Sequence, residues 1–185
     1  MSAQRFEIPQ YTTRFSMKNK FYRFGWNITR VCLFRPFGTT LFNGWRKFLL
    51  RLFGAKIGEK TVIYSSANIW MPCNLEVGRN SCIGPNTFIY NPSKIIIGNK
   101  VTVSQNSYLC GGSHDINTLA LDFISAPIVI EDFCWICANC FVMMGVTMKE
   151  GSVLGATSSL FKSTESWGVY GGSPAKYIKK RIVNE

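Results

Sequence analysis

Three groups of side chains in this sequence could carry chemistry. The single histidine, His114, stands in the run GGSHD with Asp115 directly after it. An imidazole is the side chain best matched to proton transfer near neutral pH, so a histidine that faces a cleft is a candidate general base. The run CWICANC spaces Cys134, Cys137 and Cys140 three residues apart, which has the look of a metal motif. The tail VYGGSPAKYIKKR joins a glycine turn to Lys176, Lys179, Lys180 and Arg181, offering backbone N–H groups and cations suited to phosphate. Neither a P-loop nor a G-x-G-x-x-G run is present.

What these groups can do depends on the scaffold that holds them. Residues 57–165 repeat every six positions. The apolar position is Ile57, Ile63, Ile69 and Leu75, then after a two-residue slip Val77, Ile83, Ile89 and Ile95, then Ile97, Val103 and Leu109. It resumes at Ile130, Ile136, Val142, Met148, Leu154 and Leu160. Glycine often follows it, as at Gly58, Gly78, Gly84, Gly98 and Gly155, suiting a corner that a Cβ would crowd. Four residues on, the side chain is usually small: Thr61, Ala67, Cys73, Ser81, Thr87, Ser93, Ser107, Ser113, Cys134, Cys140, Ser152 and Ser158. Such a pattern describes short flat strands, three per turn, stacked as a parallel β-helix. The segments 57–74, 77–94, 97–114, 130–147 and 148–165 give about five coils, a prism roughly 24 Å long at a strand spacing of ~4.8 Å. A β-sandwich would instead show period two.

This frame reinterprets the candidates. Cys134 and Cys140 fall in the small inward slot and Cys137 at a corner, so a structural role is expected and no metal. His114 closes the third coil, where an insertion, residues 115–127, leaves the stack, and long loops on a regular scaffold are often functional. Residues 1–56 carry helical patterns. Leu41, Phe42, Trp45, Phe48, Leu49, Leu52 and Phe53 form one apolar face with Arg46, Lys47 and Arg51 opposite, and the helix is expected to cover the open end of the first coil.

Charge divides the chain the same way. The 185 residues carry a net +11. Residues 1–60 hold 12 basic and 2 acidic side chains, and residues 61–185 hold 9 and 8. Nucleic acid is therefore not expected as a partner of the nearly neutral prism. The basic segment is expected to cap the stack, and Arg46, Lys47 and Arg51 could also meet an anionic membrane surface peripherally. No uncharged apolar run of 18 residues occurs, so no spanning helix is expected. The opening MSAQRFEIPQ lacks the order of a secretory signal, and the seven cysteines read as free thiols of a reducing, cytoplasmic compartment.

Together the hexads, SQNSYLCGGSHD, PIVIEDFCWICANC and GGSPAK resemble the hexapeptide-repeat acyltransferases, nearest to the colanic-acid-biosynthesis type of O-acetyltransferase in the galactoside and maltose acetyltransferase group. The resemblance covers roughly residues 50–181 and implies a left-handed β-helix, an N-terminal helical cap over 1–56, a CoA-contacting tail over 166–185, and a homotrimer with sites between prisms. It implies acetyl-CoA as co-substrate and a sugar hydroxyl as acceptor, with His114 as general base and Asp115 beside it. Trp135, Ala138, Ala156 and Lys162 match positions along the pantetheine channel, and Gly172, Ser173, Pro174, Ala175, Lys176 and Lys179 match the terminal CoA motif. The polar residues that hold sugar in the galactoside enzymes fall on Gly84 and Pro92, leaving Asn86 and Asn91 as acceptor candidates. A precursor of surface polysaccharide is the expected acceptor, ahead of an antibiotic or a non-catalytic membrane-surface scaffold. One histidine is too few for the three-histidine metal site of the γ-class carbonic anhydrases.

Overall fold

The structure is a computed structural model that describes residues 15–183. Its body is a three-sided parallel β-solenoid. The first face is built from Lys56–Ile57, Leu75–Val77, Ile95–Ile97, Ile128–Ile130 and Thr147–Met148, each strand pairing in parallel with the same strand of the next coil. The second and third faces follow the same rule from Val62–Ile63 and Asn68–Ile69 onward. The repeat positions stack in register. Ile57, Val77, Ile97, Ile130 and Met148 form one interior column, Ile63, Ile83, Val103, Ile136 and Leu154 a second, and Ile69, Ile89, Leu109, Val142 and Leu160 the third. All are at least 93 % buried, so the three columns are the core.

The small slot is more specific than small. Thr61 Oγ1 donates to the Gly78 carbonyl at 2.5 Å, Ser81 Oγ to Gly98 at 2.8 Å and Ser107 Oγ to Cys137 at 2.9 Å, each acceptor lying one coil further on. Cys134 Sγ and Cys140 Sγ do the same toward Lys149 at 3.0 Å and Gly155 at 3.1 Å. Corner carbonyls have no strand partner, so a short side-chain donor satisfies a group that burial would otherwise penalise, at a net gain of about 1 kcal/mol each.

One expectation fails at the edge between the third and first faces. In the first three coils the extra residues let Met71, Asn91 and Gly111 turn inward, all buried, while Cys73 is exposed and Ser93 and Ser113 are half-buried. The tail joins the stack. Gly168–Gly172 adds a sixth rung to the second face, pairing Val169 with Val153 and Tyr170 with Leu154, and Ala175–Lys180 folds back antiparallel upon it.

The open end of the first coil is covered by two helices, α1 (Met17–Thr29) and α2 (Asn43–Leu52), joined through a π turn at Arg30–Phe34. Ser16 caps α1, its Oγ accepting the Asn19 N–H. Coil 1 has no rung beneath it, and the helices supply donors to its unpaired carbonyls. Arg51 Nη2 reaches Ile57, Asn43 Nδ2 reaches Thr61, Arg46 Nε reaches Ile63 and Trp26 Nε1 reaches Ile69, at 2.6 to 2.9 Å. Asn43 Oδ1 also accepts the Ile63 N–H, imitating a strand neighbour.

The buried side of α2 is rotated from the expected one, with Leu49 buried and Arg51 exposed as expected. Arg46, Leu49 and Leu50 are buried against the coil, whereas Leu41, Phe42, Trp45, Phe48 and Leu52 are exposed. Arg46 therefore cannot meet a lipid surface: its guanidinium also donates to the Phe37 and Thr39 carbonyls and lies within the cap. The periodicity identified an amphipathic helix, but a guanidinium that satisfies three carbonyls is worth burying and displaces part of the apolar face outward. Among the described residues no helix is long and apolar enough to cross a membrane.

Candidate active site

His114 ends a short strand, Gly112–His114, that leaves the solenoid at the edge between the third and first faces and pairs antiparallel with Phe123–Ser125. The insertion is thus a hairpin, fixed to the stack by Ser93 Oγ donating to Ser125 Oγ at 2.8 Å and by the Ala126 N–H donating to the Gly111 carbonyl. Gly112 permits the exit, because a Cβ there would lie 2.8 Å from the Pro92 ring and 2.9 Å from Phe123.

The hairpin orients the imidazole. Nδ1 of His114 lies 2.5 Å from the Leu121 carbonyl, and Leu121 holds the left-handed φ of +47° that turns this oxygen inward. A carbonyl can only accept, so Nδ1 carries the proton and Nε2 is the basic nitrogen. Asp115 does not make this contact. Its Oδ1 accepts from the Asn117 backbone and side-chain N–H groups, both at 2.9 Å, so it shapes the hairpin turn and the Leu121 carbonyl orients His114 in its place.

An aromatic wall that sequence reasoning missed adjoins the histidine. Phe123 meets the His114 ring edge-on at 5.8 Å, Phe15 meets Phe123 at 5.4 Å and Trp70 at 5.3 Å, and Trp70 meets Tyr90 at 5.1 Å. Arg23 of α1 lies over the Trp70 ring at 4.5 Å. Trp70 and Tyr90 were within reach of the sequence, since each follows the apolar position of its coil by one and the coils repeat at twenty residues. Leu121 was not, because the path of the hairpin lies outside the periodicity.

The remaining candidates lie elsewhere. Ala138 and Ala156 occupy successive corners between the second and third faces, linked by the Thr157 N–H donating to the Ala138 carbonyl. The turn Gly172, Ser173, Pro174 and Ala175 continues that edge, with the Gly172 N–H donating to Ser158 Oγ at 3.0 Å. Lys176 and Lys179 project, exposed, from the returning strand. Trp135 is exposed on the second face, its Nε1 donating to Ser104 Oγ. Asn86 sits on the same edge two coils below Ala138, its Nδ2 donating to Asn106 Oδ1. Lys162 instead follows the last strand of the third face, on the edge of His114. Within one chain, Ala138, Ala156 and the 172–175 turn are separated from the histidine by one side of the prism, roughly 15–20 Å at ~3.3 Å per residue.

Asn91 is not an acceptor residue. It is fully buried, Oδ1 accepting the Met71 N–H and Nδ2 donating to the Met71 carbonyl, and it stands in for a rung where the corner widens. The cysteines do not converge: Cys134 and Cys140 point into the core at different corners, and burial pushes the thiols of Cys134, Cys137 and Cys140 upward in pKa. Among the described residues no cluster of metal-ligating side chains occurs.

A parallel β-helix with a histidine on a hairpin extruded from its third coil, and a basic turn closing its far end, defines a hexapeptide-repeat acyltransferase. Comparison with known proteins is specific. No family model matches the chain. The protein of Escherichia coli K12 that carries the name colanic acid biosynthesis acetyltransferase WcaF is 44 % identical over 141 residues, covering 76 % of this chain and 78 % of that one. A hexapeptide-repeat-containing acetyltransferase of Vibrio cholerae, solved with acetyl coenzyme A, superposes with a TM-score of 0.80 over 91 % of each chain at 23 % identity. A galactoside acetyltransferase solved with coenzyme A gives 0.81 over 91 % of this chain and 84 % of that one, at 22 % identity. The chain belongs to the hexapeptide-repeat acetyltransferases, as a relative of the colanic acid biosynthesis enzyme, and the solenoid shares the left-handed coil of its structural neighbours.

Proposed function

We propose that this protein transfers an acetyl group from acetyl-CoA to a sugar hydroxyl of a surface polysaccharide precursor, and does so as a homotrimer. The observation that carries the chemistry is the contact of His114 Nδ1 with the Leu121 carbonyl. With Nδ1–H held by the Leu121 carbonyl, Nε2 can take the proton of the acceptor hydroxyl as its oxygen attacks the thioester carbonyl. When the tetrahedral adduct collapses the C–S bond breaks, and the imidazolium returns the proton to the departing thiolate. The rings of Trp70, Tyr90 and Phe123 offer flat apolar surface for a pyranose ring, and Arg23 offers donors for its oxygens.

Support for the homotrimer comes from the division of parts. His114 and Lys162 stand on one edge of the prism, and Asn86, Ala138, Ala156 and the 172–175 turn on another, so a neighbouring copy that sets its second edge against the first completes a site. Lys176 and Lys179 then serve the CoA phosphates. The Sγ–H groups of Cys134 and Cys140 donate to carbonyls, a use that requires reduced thiols and supports a cytoplasmic location.

The test is acetyl-CoA turnover against a panel of bacterial glycan precursors, with mass spectrometry to detect the acetylated product. His114→Ala is expected to lower turnover at least 100-fold, in the range of a lost general base. Wild-type turnover in that variant would overturn the assignment of His114, and turnover only with antibiotic hydroxyls would overturn the assignment of acceptor.

A further inference from the structure

Helix α1 carries an apolar stripe that nothing in the fold uses. Met17, Phe21, Phe24 and Ile28, continued by Val31 in the π turn, recur at helical spacing and are 49 to 69 % exposed, while Trp26, on the opposite side of the helix, is fully buried. Helix α2 repeats the arrangement. Leu41, Trp45, Phe48 and Leu52 share one side and are 37 to 85 % exposed, with Arg46, Leu49 and Leu50 buried on the other.

The two stripes belong to one surface. Trp45 Nε1 donates to the Leu33 carbonyl at the end of the π turn, and Phe53 beyond α2 packs on Tyr22 and Trp26 of α1, so the helices run side by side in opposite directions. Both bury the side that donates to the first coil, and both stripes therefore lie on the side away from it. Two exposed apolar stripes on adjoining helices are unusual on a soluble protein and mark a contact site.

Charge selects the occupant. From Phe15 to Gly58 the sequence contains no acidic residue. Arg46, Arg51 and Arg30 are held by carbonyl or amide oxygens of the first coil, but Lys18, Lys20, Arg35 and Lys47 border the stripes without an ion-pair partner among the described residues. A second copy of the same face would set cations against cations. A bilayer containing anionic lipid offers phosphates at the height of those cations and hydrocarbon below them for the stripes, and Trp45 is placed as indole rings are at such boundaries.

We propose that the α1–α2 plate is a docking surface for an anionic phospholipid bilayer, with the two stripes set among the acyl chains and Lys18, Lys20, Arg35 and Lys47 at the headgroup phosphates. The surface does not depend on the catalytic reading, because it shares no residue with the His114 site. Its consequence for that site is geometric: His114 leaves the third coil, two steps or roughly 10 Å above the coil that rests on the plate. An acceptor carried on a lipid would thus be presented to the histidine at a fixed height.

The full chain is tested by co-sedimentation with vesicles of phosphatidylcholine alone and with phosphatidylglycerol added to about one third. Binding is expected to the mixed vesicles only, and to weaken as salt rises. Phe21→Ser with Phe24→Ser and Phe48→Ser removes apolar side chains that touch no core, and is expected to lower the bound fraction at least tenfold at unchanged thermal midpoint. Lys18→Glu with Lys20→Glu and Lys47→Glu is expected to do the same. Equal binding to neutral vesicles, or binding untouched by either set, overturns the proposal. It is equally overturned if the serine variant breaks a larger assembly that vesicles do not compete for, which makes the face a contact between copies. Vesicle binding that appears only when residues 1–14 are removed would assign the face to that segment.

Discussion

Replacing Arg46 by methionine separates a structural cap from a surface cation. The guanidinium is buried and donates to three carbonyls: Ile63 on the open edge of the first coil, and Phe37 and Thr39 in the connection before α2. Methionine keeps the aliphatic length and removes every donor. Burial already holds the Arg46 pKa below its ordinary value, so part of the gain from charged hydrogen bonding is cancelled by desolvation. Leaving a buried acceptor unpaired costs about 1–3 kcal/mol. The Ile63 carbonyl bears that cost in full, while the other two, only partly buried, recover some of it from water. The sum is about 2–5 kcal/mol. At ~2–4 °C per kcal/mol for a chain of this size, the thermal midpoint should fall by roughly 5–15 °C. Scanning calorimetry at fixed protein concentration measures it, with Lys47→Met, one residue along and without a partner among the described residues, expected to shift the midpoint by no more than about 1–2 °C. Equal, small shifts in both variants would refute the capping argument.

Four further outcomes are expected. Mixing His114→Ala chains with chains carrying Lys176→Glu and Lys179→Glu, each preparation nearly inactive alone, should restore about one quarter of wild-type turnover after subunit exchange, because one random interface in four joins the two intact edges; no recovery would place each site within one chain. Gly78→Ala should destabilise the solenoid by about 1–3 kcal/mol in urea unfolding, since its Cβ would lie 2.6 Å from the Gly98 backbone of the next coil. Asp132, whose carboxylate accepts from the Asn99 side-chain and backbone N–H groups, is held below the ordinary aspartate pKa; its contribution to stability is complete above about pH 4 and lost as pH falls through the lowered value. Asp132→Asn should flatten that acid limb of the stability curve. Iodoacetamide at neutral pH should label exposed Cys32 and Cys73 well before Cys134 and Cys140, whose burial both shields them and keeps them protonated, and mass mapping of the labelled sites will show the order.

The repeat made the solenoid readable because each coil imposes the same steric demand at the same six-residue step. The columns from Ile57, Ile63 and Ile69 upward therefore fell at their sequence positions. Where the step is broken, the pattern carries less. At the widened corner Asn91 looks polar and available, yet its amide replaces a missing backbone pairing, which only the coil-to-coil register reveals. In α2, apolar periodicity located the helix but not its buried side, since the deciding contact is a guanidinium with an unpaired strand edge twenty residues or fewer away in sequence. The histidine was legible from its type and its place at the end of the third coil. Its tautomer was not, because that rests on a backbone carbonyl seven residues on, turned inward by one left-handed residue.

The hairpin at the far end also bears on how the stack can grow. The rungs of the solenoid pair in parallel, and an uncovered end would accept another rung, so a stack with two such ends could lengthen into a fibre. The last strand, Ala175–Lys180, runs backward, so a further coil cannot continue it in register, and it lines that edge with Lys176, Lys179 and Lys180. The lysines proposed to meet phosphate thus also set charge along the last edge of this face, where it opposes the addition of a further strand. A neutral substitution there that appears to abolish cofactor affinity should be checked for filaments by light scattering, since loss of soluble enzyme through end-to-end polymerisation would mimic loss of the ligand.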